Sequence, residues 1–373
     1  MKVRYLLALA TFALGNCALA QNATVFGRVD IGLQRIDMDG ATRTGLDSGI
    51  YTSSRLGFRG AEDLGGGLSA VYHLEMGIGA DAGTVGAGHR VFNRGSFVGL
   101  TDSALGTVTL GRQYTPLFWP FLNADEAGPL RLHGYSAVSA IERTNLLRVN
   151  QSALSTPATN GPLASESNGI FAAGIASSHE DNQIVYKTPS MAGFTVSLSA
   201  APSENYDGGA TKLYGGNLEY SSGPLYLGSG VNRKYGRVPG TDDLQRSDEV
   251  LLSGMYAFTE SFKLWGNLHG WKVDPGTGTT LKGHDYMLGA SWWVGVGQLW
   301  ANYARKHVNA CRECDSDGFG VGYNHFLSKR TELYVAYGRV GNQANAAIGL
   351  VGYTPIEPGG TVQGLAAGIA HVF

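Results

Sequence analysis

Residues 53–79 read SSRLGFRGAEDLGGGLSAVYHLEMGIG. On either side of a glycine-rich turn, apolar residues occupy alternate positions, and the positions between them carry Arg55, Arg59, His73 and Glu75. Successive side chains of a β-strand point to opposite faces, so this pattern predicts strands rather than a helix. The stretch therefore predicts a β-hairpin with one apolar face and one charged face.

The same alternation recurs along the chain and predicts sixteen strands. Their expected ranges are 24–36, 51–63, 67–79, 90–102, 106–113, 181–189, 193–201, 213–222, 225–236, 247–258, 262–273, 284–295, 298–308, 316–326, 331–341 and 362–373. A soluble β-sandwich also alternates, but it gives no reason for short turns at one end and long polar loops at the other, which are typical of an outer-membrane barrel. Closure of such a barrel leaves no strand edge unpaired in lipid. The expected fold is all-β, a 16-stranded antiparallel transmembrane β-barrel with short periplasmic turns and long external loops.

The first twenty residues predict a secretory signal peptide. Lys2 and Arg4 precede an apolar run, and Ala18-Leu19-Ala20 supplies a small-x-small cleavage site. The expected mature chain, 21–373, forms a single barrel domain. Its charge is nearly balanced, with 26 basic residues (28 − 2) against 30 acidic ones, which argues against nucleic acid as a partner. No mature segment approaches the ~18 consecutive apolar residues of a transmembrane helix.

Several segments resemble the general porins of β-proteobacteria. SRLGFRGAEDLGGGL at 54–68 is similar to the second hairpin of that family, and further similar segments follow in the same order. These are VFNRGSFVGLTDSALGTVTLGRQYTPLF at 91–118, VYKTPSMAGF at 185–194, LSKRTELYVAYG at 327–338 and GIAHVF at 368–373. The resemblance covers nearly the whole mature chain. It implies a homotrimer in outer-membrane lipid, with the terminal Phe373 resembling the signal that the barrel-assembly machinery reads.

The long connection 114–180 is the expected constriction. Loops longer than ~12–15 residues are usually functional or disordered, and the resemblance implies that this third long loop folds into the barrel. The Ser, Thr, Asn, Gly and Pro content of 150–169 indicates an insertion. Strand alternation places a set of charged residues in the lumen, and Arg112 joins it if a bulge occurs at Gly111. The expected pore-lining residues are Arg28, Arg55, Arg59, Arg90, Arg94, Arg112 and Glu75, with Asp125 and Glu126 on the loop opposite.

A basic wall opposite an acidic loop sets a transverse field across a constriction. The sequence therefore predicts a passive diffusion channel for ions and small hydrophilic solutes, with a weak preference for anions. In a competing interpretation, some of the arginines form structural ion pairs with Glu62, Asp63 or Glu75. Two other functions remain open: a channel that prefers one anion or carboxylate, and a barrel adhesin or outer-membrane enzyme that uses the long loops.

Other motifs are weaker. Cys311 and Cys314 form a single CxxC in an expected external loop, which favours a local disulfide over a zinc or redox site. His179-Glu180-Asp181 is interpreted as a solvated start of the next strand. The sequence contains no nucleophile elbow, zinc-protease motif or phosphate loop, so no enzyme activity, cofactor or metal is expected. Aromatic residues expected in the interfacial girdle are Trp292, Trp293, Trp300, Tyr303, Tyr334 and Tyr337.

Overall fold

The computed structural model describes residues 23–85, 90–124, 179–202, 212–237, 244–274, 280–309, 312–350 and 357–373. The signal peptide expected at 1–20 lies outside these ranges. The elements in chain order are β1 (Thr24–Met38), β2 (Thr42–Ser48), β3 (Arg55–Gly65), β4 (Leu68–Gly79), β5 (Thr84–Val85), β6 (Gly95–Asp102), β7 (Gly106–Tyr114), α1 (Phe118–Ala124), β8 (His179–Lys187), β9 (Phe194–Ala201), β10 (Lys212–Ser222), β11 (Leu225–Arg237), β12 (Leu244–Ala257), β13 (Phe262–Asp274), β14 (Leu281–Val294), β15 (Gly297–Val308), β16 (Ser316–Phe326), β17 (Thr331–Asn342) and β18 (Val362–Val372).

These strands form a closed antiparallel barrel with sixteen positions in the wall. β2 and β3 share one position because both pair with β1, and the two-residue β5 pairs with β4. The barrel closes where β1 pairs with β18. There the Gly27 N–H donates to the Phe373 carbonyl (3.0 Å), and the Phe373 N–H donates to the Gly27 carbonyl (3.1 Å). The predicted 16-stranded barrel is confirmed, while the role of Phe373 in assembly stays a prediction.

Side chains alternate between lipid and lumen as the sequence predicts. On β1, Leu33 is exposed on the outer surface, whereas Arg28 and Gln34 are buried on the inner side. Three of the residues expected in the girdle are placed differently: Trp300 and Tyr334 are buried and face inward, and Trp293 lies on the inner face opposite buried Gln298. Trp300 donates to the Asn324 side chain (3.0 Å), so its ring is fixed inside the barrel. Within the described ranges, no helix has the length and apolar character needed to cross a membrane.

The wall bends at Gly111, as the predicted inward position of Arg112 requires. The register between β7 and β8 shifts between Gly111 and Gln113, and Gly111 has a φ of 131°. That backbone conformation favours glycine, and the extra residue of a bulge re-aims the side chain that follows. Arg112 is accordingly buried on the lumen side.

Between β2 and β3, residues 49–54 leave the wall and fold into the lumen, where Asp30 holds them. The Asp30 carboxylate accepts hydrogen bonds from the N–H groups of Tyr51 (2.7 Å) and Thr52 (2.6 Å) and from the Tyr334 hydroxyl (2.8 Å). The rings of Tyr51 and Tyr334 stack with centroids 4.8 Å apart. The prediction of a strand over 51–54 is wrong because these backbone groups bond to a side chain instead of a neighbouring strand.

Apolar side chains fill one side of the lumen. Inward residues on β12 to β17, among them Trp265, Met287 and Val340, form one buried cluster with Leu117 and Phe121 from the segment after β7. Burial of apolar surface contributes roughly 25 cal/mol per Å², so this cluster stabilises the inward position of that segment. The described lumen therefore carries an apolar cluster on the side formed by β12 to β17.

Replacement of Asp30 tests how the 49–54 segment is held. We expect Asp30→Ala to lower the free energy of unfolding by about 3 kcal/mol or more, because hydrogen bonds to a charged group contribute roughly 1.5–3 kcal/mol each. Urea unfolding of the vesicle-inserted protein, followed by tryptophan fluorescence, measures this loss. Asp63→Ala is the control, since Asp63 accepts the exposed turn N–H of Gly65. Equal losses in the two variants would contradict the assignment.

Candidate functional site in the barrel lumen

The first part of the 114–180 connection crosses the lumen and packs on the opposite wall. α1 contacts β10, β11, β12 and β13. The Asn217 side-chain amide donates to the Pro116 carbonyl (2.8 Å), and the Asn123 amide donates to Glu219 (2.6 Å). Gly230 permits this contact, because a Cβ there would lie 2.9 Å from the Leu117 Cα. Residues 115–124 thus narrow the lumen, and the remainder of the loop, including Asp125, Glu126 and 150–169, lies outside the described residues.

Arg28 is buried in the lumen beside Glu332 of β17. Its guanidinium donates to the Glu332 carboxylate and lies 5.5 Å from the centre of the Tyr51 ring. The Asn324 side chain donates to both Glu332 (3.0 Å) and the Tyr51 hydroxyl. This ion pair joins strands on either side of the β1–β18 closure, and a buried pair needs such extra hydrogen bonds to offset its desolvation.

Arg94 pairs with Glu75. The strand predicted at 90–102 begins only at Gly95, so Arg94 lies immediately before β6. Its Nε is 2.5 Å from the Glu75 carboxylate. Arg94 also donates to the Tyr114 hydroxyl (2.8 Å), and the His73 ring lies 3.1 Å from Glu75. The interpretation of structural ion pairs therefore applies to Arg94 with Glu75. Within the described ranges, Glu62 and Asp63 form no ion pair.

Asp181 binds two arginines at once. Arg90 approaches it at 2.7 Å and Arg112 at 2.9 Å. The adjacent Glu180 is buried and pairs with Lys234 of β11 at 2.8 Å. The interpretation of this segment as a solvated strand start is wrong, because both carboxylates neutralise cations on the lumen wall.

Arg55 and Arg59 differ from the other four arginines. Each faces the lumen from β3, Arg55 opposite Arg28 of β1 and Arg59 opposite Thr24. Neither forms an ion pair with another described residue. Arg59 lies over the Phe26 ring at 5.0 Å, a contact that leaves its charge uncompensated.

The charges on this side of the lumen do not balance. Among the residues that the structure describes, the group contains six arginines against four carboxylates, an excess of two positive charges. The carboxylates are Asp30, Glu75, Asp181 and Glu332, of which sequence analysis selected Glu75 alone. Asp30 has inward parity on its predicted strand, which is a signal that could have identified it. Glu332 and Arg28 are 304 residues apart, so no local sequence pattern could have predicted that they pair.

A second charged group lies on the opposite wall. His269 of β13 is fully buried, with Asp285 at 3.0 Å and Glu249 at 3.6 Å. Lys306 of β15 is also fully buried and lies 5.2 Å from the centre of the Trp271 ring. Sequence analysis missed this group. In the part of the chain that the structure describes, no cluster of His, Cys, Asp and Glu residues has a metal-binding arrangement.

Cys314 lies in an external loop between β15 and β16, where it is fully buried. Cys311 lies outside the described residues, so the disulfide between them stays a prediction. Next to Cys314, Asp315 accepts from the His307 ring (2.9 Å) and the Val308 N–H (3.3 Å). Burial raises the pKa of Asp315, but these donors together with Arg305 outweigh it and hold that pKa below its usual range. The loop is thus fixed by local hydrogen bonds.

Known proteins are similar to this chain in both sequence and fold. Residues 6–345 match the family model of Gram-negative porins. Outer membrane porin protein 32 of Delftia acidovorans is 32% identical over 382 residues, covering 99% of each chain. An outer membrane porin of Bordetella pertussis is 28% identical over 88% of this chain and 91% of its own length.

Solved structures agree. An anion-selective porin from Comamonas acidovorans matches with a TM-score of 0.76 and 29% identity, covering 95% of this chain and 100% of that chain. OmpT of Vibrio cholerae matches with a TM-score of 0.62 at 14% identity, over 94% of this chain and 97% of its own, which shows a common fold. A barrel that places apolar residues toward lipid and charged residues toward an inner channel agrees with these matches. The chain therefore belongs to the Gram-negative porin family and forms a passive channel of the bacterial outer membrane.

Proposed function

We propose that this channel conducts ions and small hydrophilic solutes with a weak preference for anions. The observation that supports the proposal is the pair Arg55 and Arg59, whose guanidinium groups face the lumen without an ion pair among the described residues. The relative from Comamonas acidovorans, 29% identical, is described as anion-selective. Guanidinium groups keep their charge at all physiological pH values, so the preference would not depend on pH in that range.

The preference for anions is expected to be weak because most of the positive charge on the lumen wall is compensated by carboxylates. Arg28, Arg90, Arg94 and Arg112 each have a carboxylate partner. A unit charge at ~8 Å in water contributes about 0.5 kcal/mol, which changes the local concentration of an anion by about twofold. The acidic side of the field, expected from Asp125 and Glu126, remains part of the proposal. Cations would then still pass along the opposite side of the constriction.

The proposal includes a homotrimer. The outer surface of β1 and β18 carries small and apolar residues, among them Val25, Val29, Leu365 and Ala367, which suit contact with a second subunit as well as with lipid. Insertion of a trimer into a planar bilayer would give conductance that closes in three equal steps at high voltage. A single closing step for each insertion would contradict it.

Removal of Arg55 and Arg59 together should reduce anion selectivity. We expect Arg55→Ala/Arg59→Ala to lower the chloride-to-potassium permeability ratio by at least about twofold in 0.1 M KCl, where screening extends over ~10 Å. The reversal potential in a planar bilayer under a KCl gradient measures this ratio. Arg233→Ala/Arg246→Ala is the matched control, because these arginines lie on the outer surface with Asp248. An unchanged ratio in the lumen variant would overturn the proposal.

Neutralisation of a lumen carboxylate should act in the opposite direction. In Asp181→Asn, Arg90 and Arg112 keep a hydrogen-bond acceptor but lose its negative charge, so the chloride-to-potassium permeability ratio should rise by about twofold. Asp248→Asn is the control, since Asp248 also pairs with two arginines, at 2.5 and 2.9 Å, but on the outer surface. A rise of the same size in both variants would show that the lumen position is not the cause.

A further inference from the structure

Three aromatic rings form a continuous strip on the arginine side of the lumen. Phe26 of β1 packs against His73 of β4 with ring centroids 5.2 Å apart, and His73 stacks on Phe97 of β6 at 5.1 Å. The rings lie flat against the wall because glycines lie beneath them. A Cβ on Gly57 would lie 2.4 Å from the Phe26 ring, and one on Gly95 would lie 2.8 Å from the His73 ring.

The segment that crosses the lumen adds a second aromatic group facing this strip. Tyr114 contacts Trp119 of α1, with ring centroids 5.5 Å apart at an interplanar angle of 66°. Trp119 is 40% exposed, whereas its neighbours Phe118 and Phe121 are buried against the opposite wall. A recess of about 80 Å³ lies between the two groups and is lined by His73, Arg94, Phe97, Gln113, Tyr114 and Trp119. An exposed tryptophan beside such a recess can stack on a planar solute.

The same recess has positive charge along one margin. Arg59 lies over Phe26 at the end of the strip, and Arg94 lines the recess itself. Arg55 lies directly opposite Gly77 of β4, close enough to Arg94 for the two positive charges to repel each other. An anionic group attached to a flat ring would therefore find cations at the position where its ring meets aromatic side chains. Glu75 partly compensates Arg94 and so lowers the positive charge beside the recess, which favours a monoanion over a dianion.

We propose that the recess lined by His73, Arg94, Phe97, Tyr114 and Trp119, with Arg55 and Arg59 nearby, is a weak binding subsite for small aromatic carboxylates in transit. We call it the arginine–aromatic recess. The proposal deepens the proposed anion preference and rests on it for the attraction of the carboxylate. Planar carboxylates match the donor geometry of guanidinium groups, and aromatic rings add stacking contacts. An enclosed cavity of about 150 Å³ holds one benzene molecule. The smaller recess leaves a bound ring partly in the channel water, so that binding is weak and the solute is released.

Block of the chloride current distinguishes a ring-specific subsite from general anion attraction. Potassium benzoate and potassium cyclohexanecarboxylate have the same charge and similar size, but only benzoate has an aromatic ring. In wild-type channels in 0.1 M KCl, we expect benzoate to block saturably at concentrations roughly three- to tenfold lower than cyclohexanecarboxylate, the range that one stacking contact supplies. Trp119→Leu and Phe97→Leu, which keep an apolar side chain, should bring benzoate to the level of cyclohexanecarboxylate.

Trp292→Leu is the control variant, because Trp292 lies exposed on the outer surface, and it should retain the difference between the two acids. Heat-modified migration on a gel would establish that each variant is folded. Equal block by both acids in the wild type would overturn the subsite while leaving the arginine-dependent reversal potential intact. Retention of the full benzoate advantage in both lumen variants would also overturn it. A reversal potential that is insensitive to Arg55 and Arg59 would instead reject the anion preference.

Discussion

Every backbone N–H and C=O group within a bilayer must find its hydrogen-bond partner in the protein, because lipid offers none. Pairing of β1 with β18 satisfies this requirement for the last two strand edges of the barrel. Once the ring is closed, strand alternation fixes which side chains meet lipid and which meet the lumen. The charged wall, the inward segment 49–54 and the crossing helix α1 all depend on that division.

Strand alternation allowed much of this to be predicted. The sixteen wall strands, the inward parity of Arg28 and the bulge at Gly111 follow from period-two patterns and from glycine, both of which are local. The same rule argues against placing Trp300 and Tyr303 together in a girdle, since residues three apart on one strand face opposite sides. Trp300 is indeed buried inside, and Tyr303 is exposed.

Contacts across the barrel could not be predicted in this way. Arg28 and Glu332 are neighbours only because the chain ends meet, and Asp181 receives Arg90 and Arg112 from segments 91 and 69 residues away. Residues 51–54 were predicted as the start of a strand, yet the Asp30 carboxylate supplies the hydrogen bonds that a neighbouring strand would have given. Local pattern gives the face of a side chain, and tertiary contacts decide whether its charge is compensated. Ion selectivity depends on whether that charge is compensated.

The closure between Gly27 and Phe373 also makes the barrel sensitive to the completeness of its own synthesis. β1 has its partner in β18, more than 300 residues later, so neither edge is satisfied until that segment has been synthesised. A chain that ends early, by truncation or a premature stop, would retain two open edges and could not enter lipid without unpaired amides. The topology thus restricts membrane insertion to chains that include β18, before any solute meets the channel.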